Sequence, residues 1–369
     1  MNKLSSKKIG FKDLNLSENN FVISFSAVLL GLIAGAVFII LLGNNPFTAF
    51  SYLFRGGLMS VERIGNTLAT ATILLFVGLA VSFAFKTGLF NIGASGQMLI
   101  GGLCVTFIAL NSSLPRPILL PILILAAIIG GAVWGLLPGL LKAVFNVHEV
   151  VSTIMMNWVA YWVVYYSVQG YLKAEVIETE SRSIAETNSL RAAWLTNIFG
   201  SEYVNYGIFL SILGMIFLKI ILDKTTLGFE LKAAGYNKSA AEYAGIKVNR
   251  NIVISMMISG ALAGLAGLTF YAGYSLNMQI GVMPAQGFDG IAVALLGTGN
   301  YIGVALSSLF FGILHVGKGF MSANTAVPPE IADTIIAVII YFTATSLLLK
   351  KFWTKFSKKN EKKLQKEAE

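Results

Sequence analysis

This chain of 369 residues has one cysteine, Cys104, and two histidines, His148 and His315. A lone cysteine excludes an internal disulfide and any cysteine-built metal cluster, and two histidines cannot make a histidine-rich metal site. Charge is the next shortage. Only 12% of residues are charged while 56% are hydrophobic, and soluble domains carry about a quarter charged residues. With a mean hydropathy of +0.73, most of the chain cannot face water. A string of soluble domains is excluded, and one polytopic membrane domain is expected.

Catalytic signatures are missing too. Gly312-Ile313-Leu314-His315-Val316-Gly317-Lys318-Gly319 comes within one residue of a phosphate-binding loop. It has Gly319 where a magnesium-binding Ser or Thr belongs, and it lies in an apolar run with no strand before it. His148-Glu149 lacks the second histidine of a zinc-protease pattern and reads as a cap or gate at the start of a helix. No Ser–His–Asp set or carboxylate pair has usable spacing. The chain is not expected to be an enzyme.

The net charge of +9 is not a nucleic-acid footprint, because its distribution is that of a membrane topology. Residues 1–20 hold four Lys against two acids, 223–250 hold five basic residues against three acids, and 350–369 hold eight Lys against three acids. Segment 169–202 reverses the sign, with three basic and five acidic residues. Positive charge on alternate connections places those segments in the cytoplasm and 169–202 outside.

Apolar runs near the length of about 20 residues needed to cross a bilayer predict an all-α protein of about ten transmembrane helices. The segment 1–20 is read as cytoplasmic, 21–350 as the membrane domain and 351–369 as a basic cytoplasmic tail. The first run, Phe21 to Leu42, has no small-residue cleavage site after it and is read as a helix, not as a signal peptide. Further helices are expected over Ile64 to Phe85, up to Leu110, over Ile118 to Leu141 and Val150 to Val168, and up to Leu222. The last are Ile252 to Tyr271, Tyr301 to Phe320 and Ile331 to Leu349. The stretch between the first two, up to Arg63, is read as a semi-polar connection. Gly31 and Gly35, Gly131, Gly135 and Gly139, and Gly260, Gly264 and Gly267 are spaced for close helix packing, with Pro138 expected to kink its helix. Gln286 to Gly297 is too short to span comfortably and carries Asp289. It reads as a broken or re-entrant helix packed in protein.

Leu227 to Ile246 is a polar interruption rich in small residues. Helix formers fill Phe229 to Ala234, Gly235 offers a stop, and Ser239-Ala240-Ala241-Glu242 has capping-box spacing for a second short helix. Glu230, Ala234, Gly235, Ala240, Ala241, Glu242 and Gly245 mark a surface that a soluble partner can approach closely. A bare connector needs none of this. At membrane depth, Asp289, Asn91, Gln97 and Asn157 are the polar groups least suited to lipid. They suit either a polar passage for a neutral solute or hydrogen bonds between helices. Trp158 and Tyr161 suit either stacking on a flat ring or interfacial anchoring.

Four blocks in order carry a family resemblance. They are Gly88-Leu89-Phe90-Asn91-Ile92-Gly93, Val147 to Val151 with Thr153 to Asn157, the Leu227–Ile246 loop, and Gly287-Phe288-Asp289-Gly290 through Gly297. Together they resemble the permease subunits of bacterial nucleoside-type ABC importers, related to branched-chain amino acid and ribose permeases, over about residues 60 to 350. One departure is Ser95, where the resemblance implies a glutamate. The resemblance implies a solute pathway shared with a second permease chain, and the residues expected to face it, from their polarity or ring at membrane depth, are Asn91, Gln97, Asn157, Trp158 and Asp289. It implies a partner ATPase that binds ATP and Mg, with Leu227–Ile246 as its coupling element, and an extracytoplasmic substrate-binding lipoprotein. The expected setting is the bacterial cell membrane, in contact with lipid, with no nucleic acid and no cofactor in this chain. Sugar or branched-chain amino acid import is the alternative within the family. A secondary transporter would need more ionisable groups at depth than one aspartate.

Overall fold

The computed structural model describes residues 20–345. The expected tail 351–369, all but the last residue of segment 1–20 and the final turn of the tenth expected helix lie outside the described residues.

Among the described residues the chain is helical without a strand, in the order α1 Asn20–Leu41, α2 Pro46–Leu58, α3 Val61–Lys86, α4 Ala94–Asn111, α5 Arg116–Phe145 and α6 Glu149–Ser167. There follow α7 Ala193–Phe199, α8 Gly207–Lys224, α9 Thr226–Tyr236, α10 Lys238–Tyr243, α11 Val248–Thr269, α12 Gln286–Leu296, α13 Tyr301–Asn324 and α14 Glu330–Ala344. Six spans among the described residues are long and apolar enough to cross a membrane: those of α1, α3, α4, α5 and α13, and α11 with the π-helical turn that extends it to Tyr274.

Helix α3 is the axis of the fold. Ser60 caps it by accepting the Arg63 N–H at 3.2 Å, Glu62 sits in its first turn and Lys86 in its last, each favourable to the helix dipole. Every residue from Ala71 to Ala84 is buried. A helix apolar all round belongs at a core, and α8, α11, α12 and α13 surround this one.

The glycine spacings pair as expected. Gly131 and Gly135 of α5 lie against Gly260 and Met256 of α11, and Gly264 lies against Ala127, backbone on backbone. Helix α5 runs on through Pro121 and Pro138 to a left-handed end at Asn146. Gly31 and Gly35 of α1 receive Ile339 and Ile335 of α14.

Helix ends sort into two groups. At one end Arg116 donates to the Ser189 carbonyl, Asn188 to Ala109, and Arg191 to Gly273 and Tyr274. At the other, Lys86 lies 4.6 Å from the Tyr301 ring centroid, Lys142 pairs with Glu149 at 3.1 Å, and Ser24 Oγ donates to the Leu296 carbonyl. The acidic segment thus lies at the first end and α9 at the second.

Three local expectations are corrected. The connection before Arg63 contains α2, whose buried Ala49, Leu53, Gly56 and Gly57 face α13. At 13 residues it is an amphipathic helix too short to register as a span. Gly235 does not stop its helix, which continues to Tyr236, and α10 is capped by Asn237, not by a box starting at Ser239. His148 does cap α6, accepting the Val150 N–H.

Candidate functional site: a polar cavity above a short helix

Helix α12 has 11 residues and at 1.5 Å per residue is about 16 Å long, half a bilayer core. It is packed among α3, α4, α13 and α14, which is how a short helix is tolerated at depth. Its first turn forms the floor of a cavity of about 800 Å³. Asn66, Thr70 and Ile73 come from α3, Phe270 and Tyr274 from the π-helical turn, and Ala285, Gln286 and Asp289 from α12 and its approach. His315 and Lys318 of α13, Asp333, Ile336 and Ile340 of α14, and Tyr203 complete the wall. No residue of α12 beyond Asp289 lines it. There Gly290 packs on Val77 and Val293 on Gly78.

Three rings of the wall stack on one another as a column. Tyr203 stacks on Tyr274 at 4.6 Å and 27°, and Tyr274 on Phe270 at 5.8 Å and 11°. The charged groups are paired unequally. Lys318 Nζ reaches both Asp333 oxygens at 2.8 and 3.1 Å. Asp289 Oδ2 stands 3.3 Å from His315 Nε2, off the line of a hydrogen bond, and that nitrogen has no other partner among the described residues. An uncharged solute with a planar ring and several donors and acceptors matches this lining: stacking surface, amides, and one carboxylate not neutralised by a lysine.

The three amides expected on the passage do not line this cavity. Asn91 donates to Gln97 Oε1 at 2.9 Å and to Ser259 Oγ at 2.8 Å, and its Oδ1 accepts from Gly93 N–H and Gln97 Nε2. Ser259 Oγ in turn donates a hydrogen bond to the Ala80 carbonyl. Asn157 accepts the Gly96 N–H at 2.8 Å and donates to the Ile92 carbonyl at 3.0 Å. All three are buried. They bind the irregular stretch between α3 and α4 to α6 and α11, satisfying backbone groups that hydrocarbon could not. Trp158 is exposed on α6, edge-on to Tyr161, away from the cavity.

The coupling candidates divide by burial. Ala234 and Ala241 are buried against α11 and its neighbours, and Glu230 accepts from Asn251 at 3.2 Å. Gly235 meets the turn after α3. A Cβ on Gly235 would stand 2.7 Å from the Thr87 carbonyl carbon, and one on Gly88 2.8 Å from Gly235 Cα. Gly88 has φ +73°, a conformation glycine alone adopts freely. Ala240, Glu242 and Gly245 are exposed, as are Phe229, Tyr236 and Tyr243.

A family described as branched-chain amino acid transport system / permease component matches residues 63–344, which takes in the chain from α3 to α14. This chain belongs to that family. The permease is 38% identical over 342 residues to the guanosine ABC transporter permease protein NupP of Bacillus subtilis (strain 168), covering 92% of this chain and 98% of that one. It is 33% identical over 342 residues to the nucleoside ABC transporter permease protein NupB of Lactococcus lactis subsp. cremoris (strain MG1363), covering 91% and 94%. The glucose ABC transporter permease protein TsgB13 of Haloferax volcanii is 31% identical over 331 residues, with 88% and 87% covered.

In this permease Ser95 donates to the Pro284 carbonyl at 3.1 Å and lies directly against Gly287. The wall of α4 is therefore too close to α12 there for a longer side chain. His315, Lys318, Asp333, Asn66 and the ring stack were not anticipated as site residues. Ionisable groups in the apolar run of α13 were a usable signal; the pairing of Tyr203 with Tyr274 had none.

Proposed function

We propose that this chain is the membrane-spanning permease subunit of an ATP-driven importer of nucleosides, working in a bacterial cell membrane. The observation that carries this is similarity over nearly the full length of both chains to two permeases of nucleoside importers. The cavity agrees in size and chemistry. Pockets of about 300–1,000 Å³ hold small ligands, and rings with amides suit a nucleobase and ribose.

In this reading the solute arrives at the acidic end from a separate binding lipoprotein. It passes between this chain and a second permease, which meets the cavity side. In this reading α12 counts as one of ten passages, and both termini lie in the cytoplasm with α9–α10. There the exposed Phe229, Tyr236, Ala240 and Tyr243 seat on an ATPase, the subunit that binds ATP and Mg. ATP closure shifts α9, and the Gly235–Gly88 contact hands the shift to residues 87–95. Ser95 against Gly287 then delivers it to α12, a rigid-body displacement of packed elements. Asn91, Gln97 and Asn157 make residues 87–97 stiff enough to transmit it, and the chain itself hydrolyses nothing.

The test is uptake of labelled guanosine, adenosine and uridine by the complete importer in proteoliposomes with ATP inside. Nucleoside accumulation that needs ATP, ignores a protonophore and is not displaced by glucose or leucine is expected. Uptake of glucose or leucine with no nucleoside uptake would overturn the reading, and collapse of uptake by the protonophore would indicate secondary transport.

A further inference from the structure

Within the cavity the two carboxylates are not equivalent. Asp333 is neutralised by bidentate contact with Lys318, whereas Asp289 touches only the edge of His315 through one oxygen. An ionised carboxylate offers about four lone-pair directions, and the His315 contact fills none of them with an in-line hydrogen bond. Asp289 lies at the cavity floor, on the first turn of α12, and shares the lining with the Tyr203–Tyr274–Phe270 stack. A planar base stacked on the outer face of this column, where Tyr203 is exposed, would sit in the same cavity as Asp289.

We infer that Asp289 selects nucleosides by their base edge, favouring 2-amino-6-oxopurines, with the ring stack as platform and His315 as the positioning partner. This rests on the proposal that the solute is a nucleoside. The warrant is donor and acceptor matching. Guanine presents N1–H and N2–H side by side, and a carboxylate accepts both. Hypoxanthine presents N1–H alone. Adenine and cytosine set a ring-nitrogen lone pair beside the amino group, so one carboxylate oxygen would face a lone pair. Uracil flanks its one N–H with two carbonyls. A site built to accept hydrogen bonds rejects analogues lacking the donor far more strongly than an apolar pocket rejects a size change. Charge-assisted bonds of this kind are about twice as strong as neutral ones.

The experiment measures initial uptake of guanosine, inosine and adenosine by the complete importer carrying wild-type permease or Asp289→Asn, Asp289→Glu or Asp289→Ser. Rates are normalised to assembled complex by gel filtration. Each is expressed as a variant-to-wild-type ratio for one solute, so the preference of the binding protein cancels. For Asp289→Asn we expect guanosine to fall about tenfold or more, inosine less, and adenosine by no more than about twofold. Asp289→Glu keeps the charge and should keep guanosine ahead. Asp289→Ser removes the carboxylate at smaller volume, gives the same ordering as Asp289→Asn, and serves if the amide variant assembles poorly. An equal fall for all three nucleosides in assembled complexes, or no change, overturns the assignment while leaving nucleoside import standing. Absence of nucleoside uptake by the wild-type importer overturns both.

Discussion

Replacing Gly235 by valine probes the contact through which α9 meets the rest of the chain. A Cβ there would lie 2.7 Å from the Thr87 carbonyl carbon, 2.8 Å from Gly88 N and 2.9 Å from the Lys86 carbonyl oxygen. Carbon contacts settle near 3.5–4.0 Å, so α9 or the turn must move by roughly 1 Å. The turn resists, because Gly88 is left-handed and Thr87 is tied to Ala84 and to Ser255. Helix α9 is the element that yields. Overpacking of this kind costs about 1–3 kcal/mol, which lowers the seated population of α9 by about 5–150-fold. The assay is ATP hydrolysis and solute uptake by the same reconstituted importer, reported as solute moved per ATP. We expect Gly235→Val to insert and assemble, to hydrolyse ATP, and to move several-fold less solute per ATP. Gly245→Ala is the control: it also alters a glycine of the segment, but nothing lies within 4 Å of its added carbon. Within this chain its effect is confined to backbone strain at φ +82°, about 1–2 kcal/mol, so a larger loss of coupling there reports contact with the ATPase. Gly235→Val with an unchanged ratio would refute the idea that this contact transmits the stroke.

Asn157→Leu strands the Ile92 carbonyl and the Gly96 N–H, each buried unsatisfied group costing about 1–3 kcal/mol; a lowered melting temperature and lowered uptake should appear together in a thermal-shift and transport series. Gly131→Leu drives a side chain into the Gly260 and Gly264 backbone and should abolish detergent-stable assembly, read by gel filtration, whereas Leu at exposed Ile129 should be silent. In a Cys104→Ala background, single cysteines at Tyr236 and Tyr243 should react with an impermeant maleimide only from the inside, and one at Glu178 only from the outside. Outside labelling at Tyr236 would reverse the proposed topology.

What the sequence disclosed follows from how far each signal reaches. Membrane helices and their packing faces were legible because a run of apolar residues and a four-residue glycine step are local. Gly131 and Gly260 could be read as close-packing positions on separate helices, while their pairing with each other is seen only in the fold. The short helix was legible for the same reason: its length and Asp289 lie within one dozen residues. Helix α2 was missed because Gly56 and Gly57 declare a packing surface only once α13 lies across them.

Polarity at depth was read correctly as exceptional but does not by itself say which surface a group faces. Asn91 and Asp289 looked alike in the sequence, both too polar for lipid. In the fold, Asn91 makes four hydrogen bonds to three residues of the chain, and Asp289 has one contact, off the line of a hydrogen bond. The difference comes from position along the backbone. Asn91 sits in an irregular turn whose own N–H and C=O groups need partners, so its amide is consumed locally. Asp289 sits on a helix whose backbone is already satisfied, and its carboxylate is left over for the cavity. An intramembrane polar residue on irregular backbone is therefore first a candidate for holding that backbone together. One on a regular helix, facing a ring stack and a histidine, is the stronger candidate for touching solute. By that rule Asp289 is the residue to mutate first for selectivity, and Asn157 the one to mutate for rigidity.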